Sequence, residues 1–233
     1  MAFEFPEILN SVLALMQDNA QFLGSDQMEV AVQNALRQID KDNPRTLVID
    51  ITGDGTQDYK LPASFVRGFS LIKTVESPAG QNPPVLRRRE DDWFVYEDPS
   101  KVAGEQLRLR FRVITPSATE TIRVVLTSPH VVNQDNSTLD PTSFEGVVYK
   151  TLVYVFRSLA AFFTQSTNPA IAVDSVDYAG RAQAFLFLAE RYEKSYKQIL
   201  GIGERTSAAF ALAEADIIFS HGEDMIFHPK SER

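Results

Sequence analysis

Asp50-Ile51-Thr52-Gly53-Asp54-Gly55-Thr56-Gln57-Asp58 places oxygen-bearing side chains at positions one, three, five and nine of a loop, with glycine at six. Calcium takes its ligands at that spacing, and the glycine supplies the sharp turn. The twelfth position, where a bidentate glutamate closes the shell, is Leu61. The missing ligand favours a glycine-rich turn between two strands over a metal site. Arg87, Arg88 and Arg89 with Arg108, Arg110, Arg112 and Arg123 could form a basic patch. Glu90, Asp91, Asp92, Glu105 and Glu120 lie close to them in sequence. The plain reading is a solvated sheet face with cross-strand ion pairs, each worth under about 1 kcal/mol. A contact with another subunit comes next, and contact with DNA phosphates after it.

His130, His221 and His228 are the only histidines. None has a carboxylate–serine arrangement or HExxH spacing, so none points to hydrolysis or to a zinc site. His221 and His228 with Glu223 and Asp224 could hold a metal, but solvated side chains are the expectation. Gly201-Ile202-Gly203 lacks the third glycine and the preceding strand of a dinucleotide loop, and reads as a helix C-cap. There is no GxSxG and no P-loop. The chain has no cysteine, which excludes disulfides, thiolate metal sites and cysteine nucleophiles. An enzyme would need a nucleophile–base pair, and the sequence shows none. No catalytic residue, cofactor or metal is expected. A second class of function is a non-catalytic ligand- or carbohydrate-binding module built around Trp93, Tyr96 and Arg108.

The elements that must hold these residues are legible from periodicity. Pro6 suits a first helical turn, and Ile8, Leu9, Val12, Leu13, Leu15 and Met16 give that helix an apolar face. Gly24-Ser25-Asp26 breaks it. A second helix is predicted over Gln27–Asp40, with Asp26 as N-cap and Glu29 completing a capping box. Asn43-Pro44 ends it. The period then changes from helical to alternating. Strands are predicted over Thr46–Ile51, Asp58–Leu61, Phe69–Glu76, Val85–Arg88, Trp93–Glu97, Gln106–Val113 and Thr121–Thr127, separated by proline and glycine turns. In Leu107–Val113 the apolar residues face one side and three arginines the other. Such strands suggest an antiparallel sandwich or small barrel.

After a polar connector, Thr142 with Glu145 carries a capping-box signature. A central helix follows to about Thr164, with Val147, Val148, Leu152, Val153, Val155, Phe156, Leu159, Phe162 and Phe163 around most of its circumference. Asn168-Pro169 stops it. A last long helix, about Asp177–Leu200, carries Tyr178, Ala182, Phe185, Ala189, Tyr192, Tyr196 and Ile199 on one stripe, and Gly201 ends it. The aromatics Tyr149, Tyr154, Phe156, Phe162, Phe163, Phe185, Phe187, Tyr192 and Tyr196 could line a ligand cavity, but helical spacing favours core packing. Beyond Gly203, a further helix over about Glu204–Phe219 and a cluster at Met225–Phe227 carry apolar residues with no obvious home.

The fold class read from this order is α+β. A four-helix bundle-like part, residues 1–45 and 142–203, receives an antiparallel β sandwich or barrel with its connector, residues 46–141. Residues 204–233 form a C-terminal extension. With 44% hydrophobic residues the chain can bury a substantial core. The net charge of −8 argues against a dedicated nucleic-acid binder. Most of that acidity lies in the first 45 and last 30 residues. The start of the chain lacks the basic region of a secretory signal. The apolar run Val147–Phe163 is interrupted by Lys150, Arg157 and Ser158, so it reads as a core helix rather than a membrane span.

One group of motifs carries a resemblance. Ala35-Leu36-Arg37-Gln38-Ile39-Asp40-Lys41-Asp42-Asn43-Pro44-Arg45 leads into Gly53-Asp54-Gly55-Thr56-Gln57-Asp58-Tyr59-Lys60-Leu61-Pro62, then Phe65, Gly68-Phe69-Ser70, Val75-Glu76, Pro83-Pro84, Asp92-Trp93 and Tyr96. Ala160-Ala161-Phe162-Phe163-Thr164-Gln165-Ser166, Asn168-Pro169 and Asp177-Tyr178 follow. Over roughly residues 25–200 this order resembles the head-to-tail connector, or adaptor, proteins of tailed bacteriophages. The resemblance implies a structural virion protein, made in the host cytoplasm, that forms a homo-oligomeric ring, commonly of twelve copies. Such a ring lies between the portal protein and the next neck or tail protein. DNA passes through its channel without sequence-specific binding, and no membrane is involved. In some members of that family a C-terminal segment reaches the portal; residues 204–233 occupy that place in the chain, and either pack back on their own domain or wait for a partner, which makes Phe210, Leu212, Ile217, Ile218, Phe219, Met225, Ile226 and Phe227 the candidates for portal docking. Arg108, Arg110, Arg112 and Arg123 become candidates for subunit or tail contact.

Overall fold

Helical periodicity at the start of the chain becomes two helices, α1 (Phe5–Met16) and α2 (Ser25–Asp42), joined by a 3-10 turn over Gln17–Phe22. The computed structural model describes residues 4–165, apart from 103 and 135, and residues 178–202. The α2 cap lies earlier than expected. Gly24 takes an extended conformation, and its N–H donates to Gln27 Oε1 at 3.4 Å. Asp26 therefore sits inside the first turn, where its charge still complements the helix dipole.

α3 (Pro141–Gln165) also begins upstream of the expected cap. Asp140 Oδ1 accepts the Ser143 N–H at 2.6 Å, and Pro141, with its fixed φ, occupies the first helical position. Thr142 and Glu145 therefore lie within the helix and do not cap it. α4 (Tyr178–Ile199) ends as expected, with Gly201 at a φ of 63° and the Ile202 N–H donating to the Lys197 carbonyl at 2.8 Å.

α1, α2 and α4 pack on α3. Ile8, Val12 and Met16 of α1, and Met28, Val32, Ala35 and Ile39 of α2, are buried against it. Between α3 and α4 the rings form a ladder. Phe163 stacks on Phe185 at 5.4 Å, Phe185 on Phe156 at 5.9 Å and Phe156 on Tyr192 at 5.7 Å. The expected stripe on α4 is buried at Ala182, Phe185, Ala189 and Tyr196. Phe162 and Phe187 depart from expectation, since they are 54% and 67% exposed, although the Phe162 ring meets the edge of the ladder at Phe163, 5.4 Å between centroids. α3 is long and apolar enough to cross a membrane, with lysine and arginine interrupting it less than composition suggested. Most of its apolar residues are buried against the other helices.

Among the described residues, seven strands follow α2: β1 (Arg45–Thr52), β2 (Asp58–Lys60), β3 (Ile72–Glu76), β4 (Leu86–Arg87), β5 (Trp93–Glu97), β6 (Leu107–Phe111) and β7 (Thr121–Ser128). They build two antiparallel sheets, in the orders β1-β7-β3-β4 and β2-β6-β5. β1 and β7 run in unbroken register from Arg45↔Ser128 to Thr52↔Thr121. Val75, Ile122, Val124 and Leu126 of one sheet share a core with Tyr59, Trp93, Leu109 and Phe111 of the other. β6 is shorter than predicted, because its neighbour β5 begins at Trp93 opposite Phe111. Val113, predicted to face the core, is 71% exposed beyond that last pair. The helical core and the sheet core share no residue.

Candidate interaction surfaces

The two crossings between helices and sheets meet at His130. Its N–H donates to Asp40 Oδ1 at 2.7 Å, and its ring Nε2 lies 3.1 Å from the Asn43 carbonyl. Nδ1 lies 3.4 Å from the Thr138 carbonyl, and Asn43 Nδ2 donates to Ser143 Oγ at 3.1 Å. Burial pushes the Asp40 carboxyl above its ordinary range, and the His130 N–H partly offsets that. His130 is thus a tie between segments. His221 and His228, with Glu223 and Asp224, lie outside the described residues.

A second polar cluster lies among the helices, and its pairing was not predicted. Lys150 Nζ bonds both oxygens of Glu193, at 3.0 and 2.8 Å, and lies 4.7 Å from the centre of the Tyr196 ring. Tyr196 in turn donates its hydroxyl to Asp42 at the end of α2. Burial, with the Asp42 charge, pushes the Tyr196 phenol far above its ordinary range, so it stays protonated. The one signal in the sequence was a lysine inside an apolar helical run. Its partner lies 43 residues away, and no local rule connects them.

The loop with calcium-like spacing is a turn. Asp50 is held by Arg123, whose Nε and Nη2 donate to its two oxygens at 2.8 and 3.0 Å. Asp54 Oδ1 accepts the Thr56 N–H at 2.9 Å, a local turn closure. A Cβ on Gly53 would lie 2.1 Å from the Ser117 carbonyl oxygen, so only glycine fits there. Among the described residues no cluster of three or more histidine or acidic side chains could hold a metal.

The arginines divide between two faces. Arg108, Arg110 and Arg112 alternate with the buried Leu109 and Phe111, so they stand on the outer face of the three-stranded sheet. Arg123 alternates with the buried Ile122 and Val124, on the outer face of the other sheet. It forms a ladder across three strands, from Asp50 on β1 to Glu76 on β3, the latter at 3.8 Å. Arg110 lies 3.7 Å from Asp58, and Arg112 lies 4.8 Å from the Phe94 ring centre. The Tyr96 hydroxyl donates to Asp58 at 2.9 Å. Arg108 Nε is buried and has no hydrogen-bond partner among the described residues. Trp93, expected as part of a ligand platform, is 2% exposed and donates its indole N–H to the Arg87 carbonyl at 3.0 Å. It belongs to the core.

Two shallow cavities lie elsewhere among the described residues. One of about 280 Å³ at the sheet rim is spanned by the Arg67–Glu97 pair at 2.8 Å. One of about 430 Å³ lies beside Phe22, Phe163 and Arg181 at the far end of the helices. Neither assembles a nucleophile with a base. The expected docking residues Phe210, Leu212, Ile217, Ile218, Phe219, Met225, Ile226 and Phe227 lie outside the described residues.

Among the described residues, polar ties at His130 and at Lys150 hold the helices and the strands together. Comparison with protein families decides the matter: the SU10 adaptor protein family matches residues 4–214. The chain belongs to the SU10 adaptor protein family. This is a phage head–tail adaptor family, and membership spans helices and sheets alike. It implies a structural, non-enzymatic protein of the virion at the head–tail junction, in contact with other phage head and tail proteins. No curated protein matches the chain.

Proposed function

We propose that this SU10-family adaptor forms a homo-oligomeric ring in the phage neck, commonly of twelve copies, that joins the portal to the tail. The ring extends the DNA channel, and DNA passes through without sequence-specific binding. The family match over residues 4–214 carries the reading. The physical character of the chain supports it. A net charge of −8 suits a channel wall that repels DNA. The reading treats residues 1–45 and 142–203 as one four-helix unit, residues 46–141 as an inserted β domain, and residues 204–233 as a docking extension. Phe210, Leu212, Ile217, Ile218, Phe219, Met225, Ile226 and Phe227 would dock on the portal. The face carrying Arg108, Arg110 and Arg112, and separately Arg123, would meet a neighbouring subunit or tail protein.

The test is assembly. Full-length protein mixed with the portal of its own phage should give a ring-on-ring complex by native mass spectrometry and negative-stain microscopy. Removal of residues 204–233 should leave a folded subunit that binds the portal weakly. A full-length chain that stays monomeric with portal present would contradict the ring.

A further inference from the structure

The outer faces of the two sheets differ in how their charges are paired. On the four-stranded sheet Arg123 holds Asp50 and reaches Glu76, so that face neutralises itself. On the three-stranded sheet the register sets Lys60, Arg108 and Tyr96 in one row and Asp58, Arg110 and Phe94 in the next. Arg112 follows, and arginines at every second position of a strand stand about 7 Å apart. Among the described residues Arg108 makes no ion pair, and its buried Nε has no hydrogen-bond acceptor. Asp98 and Glu105 lie close enough to feel its charge, but Ser100 engages the first at 2.6 Å and Lys60 the second at 3.0 Å. Asp58, 3.7 Å from Arg110, already accepts the Tyr96 hydroxyl at 2.9 Å. A buried polar group without a partner is costly, and a docked acceptor would relieve that cost.

Arginine, tyrosine and phenylalanine concentrate at protein interfaces. Weakly paired guanidinium forks beside the half-buried Phe94 and Tyr96 rings fit a protein surface that bears carboxylates. The net charge of −8 argues against DNA as the occupant. The chain itself supplies the carboxylates. A ring of more than two copies joins two different patches of the same chain. It closes by rotation alone, so both patches lie at one level along its axis. The Arg108 row lies at the helix end of its sheet, because Ser128, the last residue of β7, donates its hydroxyl to the carbonyl of Ser64, just past β2, at 3.0 Å. Glu7 and Glu145 stand exposed at that end of the helices. There the Phe5 N–H donates to the Asn133 carbonyl at 3.2 Å, and α3 follows the same connector directly. Asp26 and Glu29 start α2 at its other end, about 27 Å away along an 18-residue helix.

We propose that, with the helices standing along the ring axis, Arg108 and Arg110 of one copy meet Glu7 and Glu145 of the next. The contact gives the Arg108 row the acceptors it lacks within its own chain. It rests on the ring reading and names the charges that close the ring.

Charge reversal tests the contact. Arg108→Glu/Arg110→Glu should lose the ring in native mass spectrometry with portal present, and so should Glu7→Lys/Glu145→Lys. Mixed in equal amounts, the two variants should regain it by alternating around the ring, because each offers the charge the other lacks. A ring from either variant alone, or none from a mixture of chains that melt like the parent, overturns the proposal. Arg108→Lys/Arg110→Lys keeps the charges and covers the case in which reversal unfolds the chain. Carbodiimide on rings mixed from isotope-labelled and unlabelled copies should join the new lysines to Glu7 or Glu145 across chains. Links confined to one chain, or no links, overturn the proposal. A parent chain that stays monomeric with portal present removes the ring reading itself.

Discussion

Lys150 Nζ lies 2.8 Å from Glu193 Oε2, with only 9% of the lysine side chain exposed. The pair joins α3 to α4 at the level where Tyr196 joins α4 to the end of α2. Lys150→Met leaves the Glu193 carboxylate, 20% exposed, with only Arg157 at 3.9 Å, so it should destabilise the fold by about 1–3 kcal/mol in urea unfolding. Lys150→Met/Glu193→Leu together should cost less than Lys150→Met alone, since neither charge is then stranded. Additive losses would show that the two groups act independently.

Phe156 is 2% exposed and stacks between Phe185 and Tyr192. Phe156→Ala should cost about 3–5 kcal/mol. Phe187→Ala, at a ring 67% exposed, should lie within about 0.5 kcal/mol of the parent. Chemical denaturation of the two variants side by side reads the contrast, and a reversed order would place the core on the wrong face of α4.

Gly53→Ala forces a Cβ to 2.1 Å from the Ser117 carbonyl oxygen, a backbone atom that cannot rotate away. A loss of at least about 1–3 kcal/mol follows from such overpacking. At Gly146 the same substitution meets the far end of Ile39 at 2.9 Å, a side chain that can shift. Gly146→Ala should therefore lower the melting temperature less than Gly53→Ala.

Hydrogen bonds from Arg123 hold the Asp50 carboxyl below its ordinary range. The folded state then binds this proton less readily than the unfolded chain does. The stabilisation is present above the unfolded value of about 3.9 and is lost as pH falls through the lower folded value. Arg123→Leu should move the Asp50 titration, followed by carboxyl NMR, up towards the ordinary value. It should also flatten the acid limb of stability below about pH 4. A titration unmoved by the substitution would show that the pair does not persist in solution.

Much of the architecture was legible because it rests on local rules. The stripe Ala182, Phe185, Ala189 and Tyr196, the stop at Gly201 and the strand Trp93–Glu97 follow from period and turn chemistry. Helix starts were less legible. Gly24 and Asp140 won over Asp26 and Thr142 because backbone conformation and Pro141, not side-chain type alone, select the cap. Exposure of Phe162 and Phe187 could not be read, because a run rich in aromatics does not reveal which ring faces a neighbour. The arginines looked alike in sequence. Only the pairing of β7 with β1 and β3 separates Arg123 from Arg108, Arg110 and Arg112. Lys150–Glu193 and His130–Asp40 join distant segments, and such pairs need the fold before they can be seen.

The central claim is that subunits close into a ring on the portal. Native mass spectrometry of the full-length protein with its portal tests it most directly. The proposed ring predicts a single complex containing one closed ring of this chain on one portal ring. Free monomer beside unliganded portal, at concentrations where the portal ring is intact, would contradict it.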